Sequence, residues 1–344
     1  MIDILNDIAK ENEIRLFMAG DALIHERVYN DAQKPDGSYD FSPMLEYIKP
    51  LASSHDLAFY NQETILGGTD FPLSGYPRFN SPQEVGDAFI DAGFNMVALA
   101  NNHTMDMDEA GVVSSVNYWK KHGDKVIYTG QWISAEEREE ETSRIYEKNG
   151  IRFAFFAYTT WTNELETPEG KEYLNNVYSD EKAAADIAKV RGKCDIIIVA
   201  MHWGTEYYAG IDEDQARIGK FLSDQGVQLI IGSHTHVVGP VKYINDGKTL
   251  VIYSLGNFLS NQNSVYTIGV KIGLMVSVVI RKSFDEDGNV SITIEDPQTE
   301  LSYVFSNETE KKNYKIYPFS KLTDEILPGY ESVNEEYQGI VSSS

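Results

Sequence analysis

The chain has 344 residues, of which 42% are hydrophobic and 12% aromatic, and 29 basic against 53 acidic side chains leave a net charge of −24. The length and apolar content suit one large α/β domain or two small ones, while the charge argues against nucleic-acid binding and against a polybasic contact with anionic lipid. The single cysteine, Cys194, excludes an internal disulfide and a thiolate metal cluster, and fits a reducing compartment.

In chain order, residues 3–12 read as a short polar helix and 14–21 (IRLFMAGD) as a buried strand ending in Gly-Asp. Residues 42–56 read as a helix capped by Ser42 with Pro43 at its first position. A second strand follows over 57–64 (LAFYNQET), then a Gly/Pro-rich loop over 67–82. A helix is predicted over 81–94, capped by Ser81, a third strand over 95–106 (NMVALANNHTMD), and a helix over 108–123 that stops at Gly123.

Residues 134–149 are an acidic helix or loop. The strand–helix pattern then repeats: strands over 151–159, 194–207, 227–237 and 248–260, with helices over 179–193 and 212–226 between them. Residues 268–282 and 289–300 read as antiparallel strands joined by DEDG. Strands alternating with helices imply βαβ units and a largely parallel sheet. Uniform apolar runs such as IIIVA imply strands covered on both faces. The late strands without helices suggest a second sheet packed on the first. Residues 1–300 are expected to form one domain, and 301–344 a C-terminal appendage packed on it or partly disordered.

The N-terminal stretch carries charges throughout and lacks the basic-then-apolar order of a secretory signal. No apolar run reaches the roughly 20 residues that a membrane-spanning helix needs. The literal reading is a cytoplasmic chain with no direct membrane span.

Ligands of an open α/β sheet bind beyond the carboxyl ends of its strands. Polar residues gather at these positions: Asp21 with His25 close behind, Asn61-Gln62-Glu63, Asn101-Asn102-His103, His202-Trp203-Gly204 with Glu206, Ser233-His234-Thr235-His236, and Ser254 to Asn257. Five of the seven histidines fall there; His55 and His122 sit near helix ends, as surface or capping residues do. Imidazole and carboxylate are ligands for Zn, Mn or Fe(II). A His-x-His pair at a strand end can direct one imidazole to each of two ions about 4 Å apart, with a carboxylate between them. Asn61 and Asn257 could instead shape loops, and Trp203 could pack in the core or wall the site.

The stretches FMAGDALIH, FYNQET, ALANNHTMD, AMHWGTEY, IGSHTHVVGPV and YSLGNF resemble, in order, the motifs of the CapA-type poly-gamma-glutamate capsule biosynthesis family, itself similar to the calcineurin-like metallophosphatases. The resemblance covers about residues 14–260 and implies a four-layer α/β/β/α sandwich of the metallophosphatase type. It implies that Asp21 and His236 bind a first divalent metal, that Glu63 bridges, and that Asn102, His202 and His234 bind a second, with His103 as the catalytic group. His25, Asn61, Trp203, Glu206 and Asn257 are additional candidates. Departures from the phosphatases are His25 four residues after Asp21 rather than two, Glu63 in place of a bridging aspartate, and NNH in place of GNH. They fit the capsule family better, and leave open one metal or two.

The resemblance implies a metal-dependent hydrolase acting on a phosphoester or a gamma-glutamyl or peptide bond. The alternative is a non-catalytic polymer-binding partner of a capsule synthase or exporter. An anionic polymer or peptide substrate and capsule export proteins are the implied partners. Relatives of this type are commonly anchored outside the membrane, which makes an extracytoplasmic location the alternative to the cytoplasmic one.

Overall fold

The computed structural model describes residues 12–262, 267–285, 287–307, 309–310 and 312–343. The helix expected over residues 3–12 falls almost wholly outside them. In chain order the first part contains β1 (Glu13–Leu23), α1 (Glu26–Ala32), α2 (Lys49–Ala52), β2 (Leu57–Gln62), α3 (Glu84–Asp91), β3 (Met96–Ala98), α4 (Asp108–Lys121) and β4 (Ile127–Thr129). The middle contains α5 (Ala135–Glu141), β5 (Tyr146–Lys148), β6 (Ile151–Thr159), α6 (Asp180–Val190), β7 (Ile196–His202), α7 (Glu213–Asp224) and β8 (Leu229–Ser233). The last part contains β9 (Val241–Ile244), β10 (Thr249–Ile252), β11 (Asn257–Ser260), β12 (Ile272–Phe284), β13 (Val290–Asn307), β14 (Lys312–Pro318) and α8 (Tyr330–Val341).

Two sheets form. The first runs β14-β13-β12-β1-β2-β3-β4, with β11 also paired to β1; the second runs β5-β6-β7-β8-β10-β9. Period-2 alternation explains how they stack. Ile14, Leu16 and Met18 of β1 face inward and meet Phe153, Phe155 and Ile198 of the second sheet in one buried cluster. The intervening Phe17 and Ala19 face outward and pack with Phe89 of α3 and Trp119 of α4. On the other side, Phe156, Tyr158 and Val199 pack outward against Ile187 of α6 and Leu222 of α7. The result is the four-layer α/β/β/α sandwich.

Several local expectations are corrected. The late strands do not build the second sheet: β12 pairs antiparallel with the first half of β1, and β13 and β14 follow it outward. The strand expected over 248–260 is two strands in different sheets, because β10 pairs with β8 while β11 pairs with β1. Gly256, at φ +63°, turns the chain between them. A Cβ on Gly20 would meet the Gly256 carbonyl, so this crossing needs glycine in β1. The helix expected over 42–56 breaks into a 3-10 turn, Ser42–Leu45, and the single turn α2, and Ser42 makes no side-chain cap. Pro50 lacks the N–H that a continuous helix requires there. Ser81 does not cap α3, since its hydroxyl donates to Thr64 Oγ1. The strand expected over 95–106 keeps only Met96–Ala98. The division drawn at residue 300 falls inside β13, and Leu301–Pro318 belongs largely to the first sheet.

Candidate metal centre

The carboxyl ends of β1, β2, β3, β7 and β8 meet at one edge of the seam between the sheets. On the first sheet, Asp21 lies in register with Asn61 on one side and Asn257 on the other. Asn61 Nδ2 donates to Asp21 Oδ1 at 2.8 Å, and the His234 N–H donates to Asp21 Oδ2 at 3.3 Å. Glu63, just past β2, is wholly buried, and neither of its carboxylate oxygens has a hydrogen-bond partner among the described residues. On the second sheet, His202 ends β7, and His234 and His236 follow β8 with φ of +95° and +62°, conformations a β-carbon disfavours. Asp21 N–H···Gly256 O at 3.0 Å ties β1 to the crossing chain beside them.

Two sets of ligand atoms come together. Those of Glu63, His202 and His234 lie within 4.8 Å of one another, and so do those of Asp21, Glu63 and His236. Glu63 belongs to both. Asn102 Oδ1 lies 2.8 Å from His202 Nε2, which places an amide oxygen beside the first set. The second nitrogen of His202 is 2.9 Å from Ser233 Oγ. His236 Nδ1 is 3.2 Å from Asn257 Oδ1, whose amide in turn donates to Gln262 and to the Val270 carbonyl. Asn257 and Ser233 therefore orient imidazoles.

The electrostatics favour a cation. Burial pushes the Asp21 carboxyl up to about 7 against the pull of its Asn61 and His234 donors. Burial, then the charges of Asp21, Glu206 and Asp106, push Glu63 well above the carboxylate range. Burial and neighbouring histidines hold His202 and His236 well below the imidazole range, and burial holds His234 down at about 4. Neutral imidazole is the form that coordinates metals. Buried carboxylates without partners are costly unless a cation neutralises them, and the unpartnered Glu63 oxygens stand between three such imidazoles. The donor set of carboxylate oxygen and imidazole nitrogen, with no thiolate, fits divalent Mn, Zn or Fe.

His103 belongs to neither set. Its Nδ1 is 2.7 Å from Asp106 Oδ2, and its ring stands edge-on to Phe79. Asp106 is buried and also accepts the Phe79 N–H at 2.6 Å. Asn163 lies across from it, 3.2 Å from Asn102 Nδ2 and 3.4 Å from His103 Nδ1. A cleft of about 700 Å³ opens above, with the buried Asn102, His103 and His236 in its floor and the exposed Glu206, Tyr76 and Trp161 at its rim. Glu206 is partly exposed, 4.0 Å from His236 Nε2.

Two candidates lie elsewhere. His25 heads α1 with its Nδ1 2.9 Å from the Leu23 carbonyl and 3.1 Å from the Asn261 N–H. It lines the cleft wall but joins neither ligand set, because the chain has already turned away from β1. Trp203 points to the outer face, where its Nε1 donates to the Tyr253 carbonyl at 3.0 Å and its ring stacks on Tyr253. It is a core residue behind His202. Sequence reading gave Asp106 and Asn163 no role. Asp106 had a signal, three residues after His103 in a turn; Asn163 sits in a loop whose sequence has none.

The family model described as "Bacterial capsule synthesis protein PGA_cap" matches residues 15–262. The chain is 27% identical over 179 residues to the PGA biosynthesis protein CapA of Bacillus subtilis (strain 168), covering 50% of this chain and 44% of that one. It is 25% identical over 272 residues to the capsule biosynthesis protein CapA of Bacillus anthracis, covering 74% and 61%. The chain thus spans about half the length of the curated relatives it matches. Among solved structures, the calcineurin-like phosphoesterase YfkN from Bacillus subtilis aligns over 95% of this chain and 98% of its own, at 14% identity and a TM-score of 0.47.

Proposed function

The chain belongs to the bacterial capsule synthesis protein family, and we propose that it is a metal-dependent hydrolase that cleaves a phosphoester or a gamma-glutamyl or peptide bond during synthesis of an anionic capsule polymer. The observation that carries this reading is Glu63: a buried carboxylate with both oxygens unpartnered, common to two sets of candidate ligands. Asp21, Glu63 and His236 would hold one divalent ion, and Glu63, His202, His234 and Asn102 the other. When bound, the ions would supply Lewis-acid stabilisation of the charge that develops on the attacked group.

The chain's own residues supply the proton chemistry. Asp106 accepts from Nδ1–H of His103 and so fixes the tautomer. That leaves His103 Nε2 for the cleft; in the doubly protonated ring, whose charge Asp106 would balance, Nε2–H would give a proton to a leaving group or steady developing negative charge. Phe79 closes one side of the ring and limits water there. A polymer-binding partner without catalysis would have no use for a buried Asp–His pair beside its metals, which favours the enzyme.

The test is a screen of the Mn-loaded protein against phosphoesters and gamma-glutamyl peptides, with His103→Asn alongside. The reading predicts turnover that His103→Asn abolishes while metal content stays unchanged. Equal turnover in both, or none with any substrate, would overturn it. No helix among the described residues is long and apolar enough to cross a membrane.

A further inference from the structure

The cleft above the metal centre is chemically divided. Its floor is the buried polar cluster. Its rim carries aromatic rings that the fold leaves open to solvent: Tyr76 is 81% exposed and Trp161 52% exposed. Large apolar side chains exposed together mark binding surfaces. Tyr76 and Trp161 come from loops far apart in sequence, yet line the same cleft as His103 and His236. Phe79 continues the aromatic wall inward, 6.5 Å from the Tyr76 ring and 4.7 Å from the His103 ring.

Charge on the lining points the same way. Its only cationic side chain of the Arg/Lys type among the described residues is Arg78, and that guanidinium is already held by Asp108 at 2.9 Å and by the Asp106 carbonyl at 2.7 Å. Glu164 and Glu206 stand on the lining as acids. A chain with a carboxylate at every step would find along this rim only Arg78, already paired with Asp108, to neutralise it.

From this geometry we infer that the cleft binds, next to the bond at its floor, a flat apolar or aromatic group stacked between Tyr76 and Trp161, and not an unadorned polyanion. This deepens the hydrolase reading and rests on it: the substrate class is an ester or amide whose cleaved centre carries a planar, apolar substituent.

The four tryptophans provide a direct readout. Trp119, Trp132 and Trp203 are at most 1% exposed, so an external quencher reaches Trp161. The Mn-loaded protein is titrated with phenylphosphonate and with methylphosphonate, which share the anionic head and differ in the ring. Affinity is read by calorimetry, and Trp161 accessibility by acrylamide quenching. Phenylphosphonate is expected to bind about tenfold tighter and to shield Trp161, in keeping with ring stacking. Tyr76→Ala and Trp161→Ala should each erase about threefold or more of that preference and leave methylphosphonate affinity unchanged, and Tyr76→Phe should keep it.

Equal affinities for the two phosphonates, or an undiminished preference in the Tyr76→Ala/Trp161→Ala variant, would overturn the inference. So would a gamma-glutamyl oligomer that binds tighter than phenylphosphonate and is indifferent to both substitutions. Ring preference without hydrolysis of any substrate would uphold the subsite and remove the hydrolase reading. Hydrolysis without ring preference would do the reverse.

Discussion

The two sheets bring different chemistry to the seam between them. The first contributes oxygen: Asp21, Asn61, Glu63, Asn102 and Asn257 all lie on or just past its strands. The second contributes nitrogen: His202, His234 and His236 at the ends of β7 and β8. Neither set is complete alone. Both candidate ligand groups need Glu63 from one sheet and imidazole from the other, so the candidate centre is assembled only when the sheets are packed. At the opposite end of the same seam an ordinary ion pair does the joining: Lys282 of β12 meets Asp195, just ahead of β7, at 2.9 Å, with both side chains mostly buried.

That contrast makes distinct predictions. The largest effect is on turnover. His103 comes from the first sheet but stands outside both candidate ligand sets, so on the hydrolase proposal His103→Asn should lower kcat by about 10²–10⁴ with metal content unchanged, and Asp106→Asn should lower it less. Steady-state kinetics beside metal analysis checks both. A loss of metal in either variant would break the division between ligands and proton donor.

Metal removal comes next. Ions bound across the seam would stabilise the packed state by mass action, about 2.7 kcal/mol for each at a hundredfold excess over Kd. Chelation should therefore lower Tm by several degrees, and Mn should restore it. Thermal scans with and without chelator measure this; no change would mean that the sheets are not joined there.

At the other end, the dependence is on pH. Burial pushes Asp195 up, but the Arg152 N–H and the Lys282 ammonium outweigh it and hold the carboxyl below the usual range. A depressed carboxylate stabilises the fold fully above its unfolded pKa, about 3.9. That contribution is lost as pH falls through the lower folded value. Asp195→Asn should be less stable than the parent at neutral pH and should converge with it in acid, as denaturant titrations at several pH values would reveal.

The smallest effect concerns Trp203. Trp203→Phe removes the bond to the Tyr253 carbonyl and should cost about 1 kcal/mol of stability, with no change in metal content. A metal loss would place this residue in the centre after all.

Much of this was legible in the sequence, for physical reasons. Strand ends gather ligands in α/β sheets, so Asp21, Glu63, His103, His202 and His234 could be read as one constellation before any contact was known. The apolar runs marked strands buried on both faces, whereas the four stacked layers were implied by the family resemblance and not by the late strands, which join the first sheet. What was not legible is long-range pairing. Residues 248–260 look like one apolar strand, and only the close approach of Gly20 to Gly256 sends the second half to the other sheet. The late strands carry no mark of which sheet edge they will join. Trp203 adjoins His202 in sequence, yet period-2 alternation sends it to the opposite face. Trp161 and Asn163 lie in a loop without periodicity, and only the fold brings them over the site.

The central claim is that one carboxylate serves two ions. It is tested most directly by metal stoichiometry, measured by mass spectrometry on Mn-reconstituted parent, Glu63→Gln and Asp21→Asn. The account predicts near two ions per chain in the parent, near none in Glu63→Gln and about one in Asp21→Asn. Parent protein without metal, or Glu63→Gln with the parent's full complement, would contradict it.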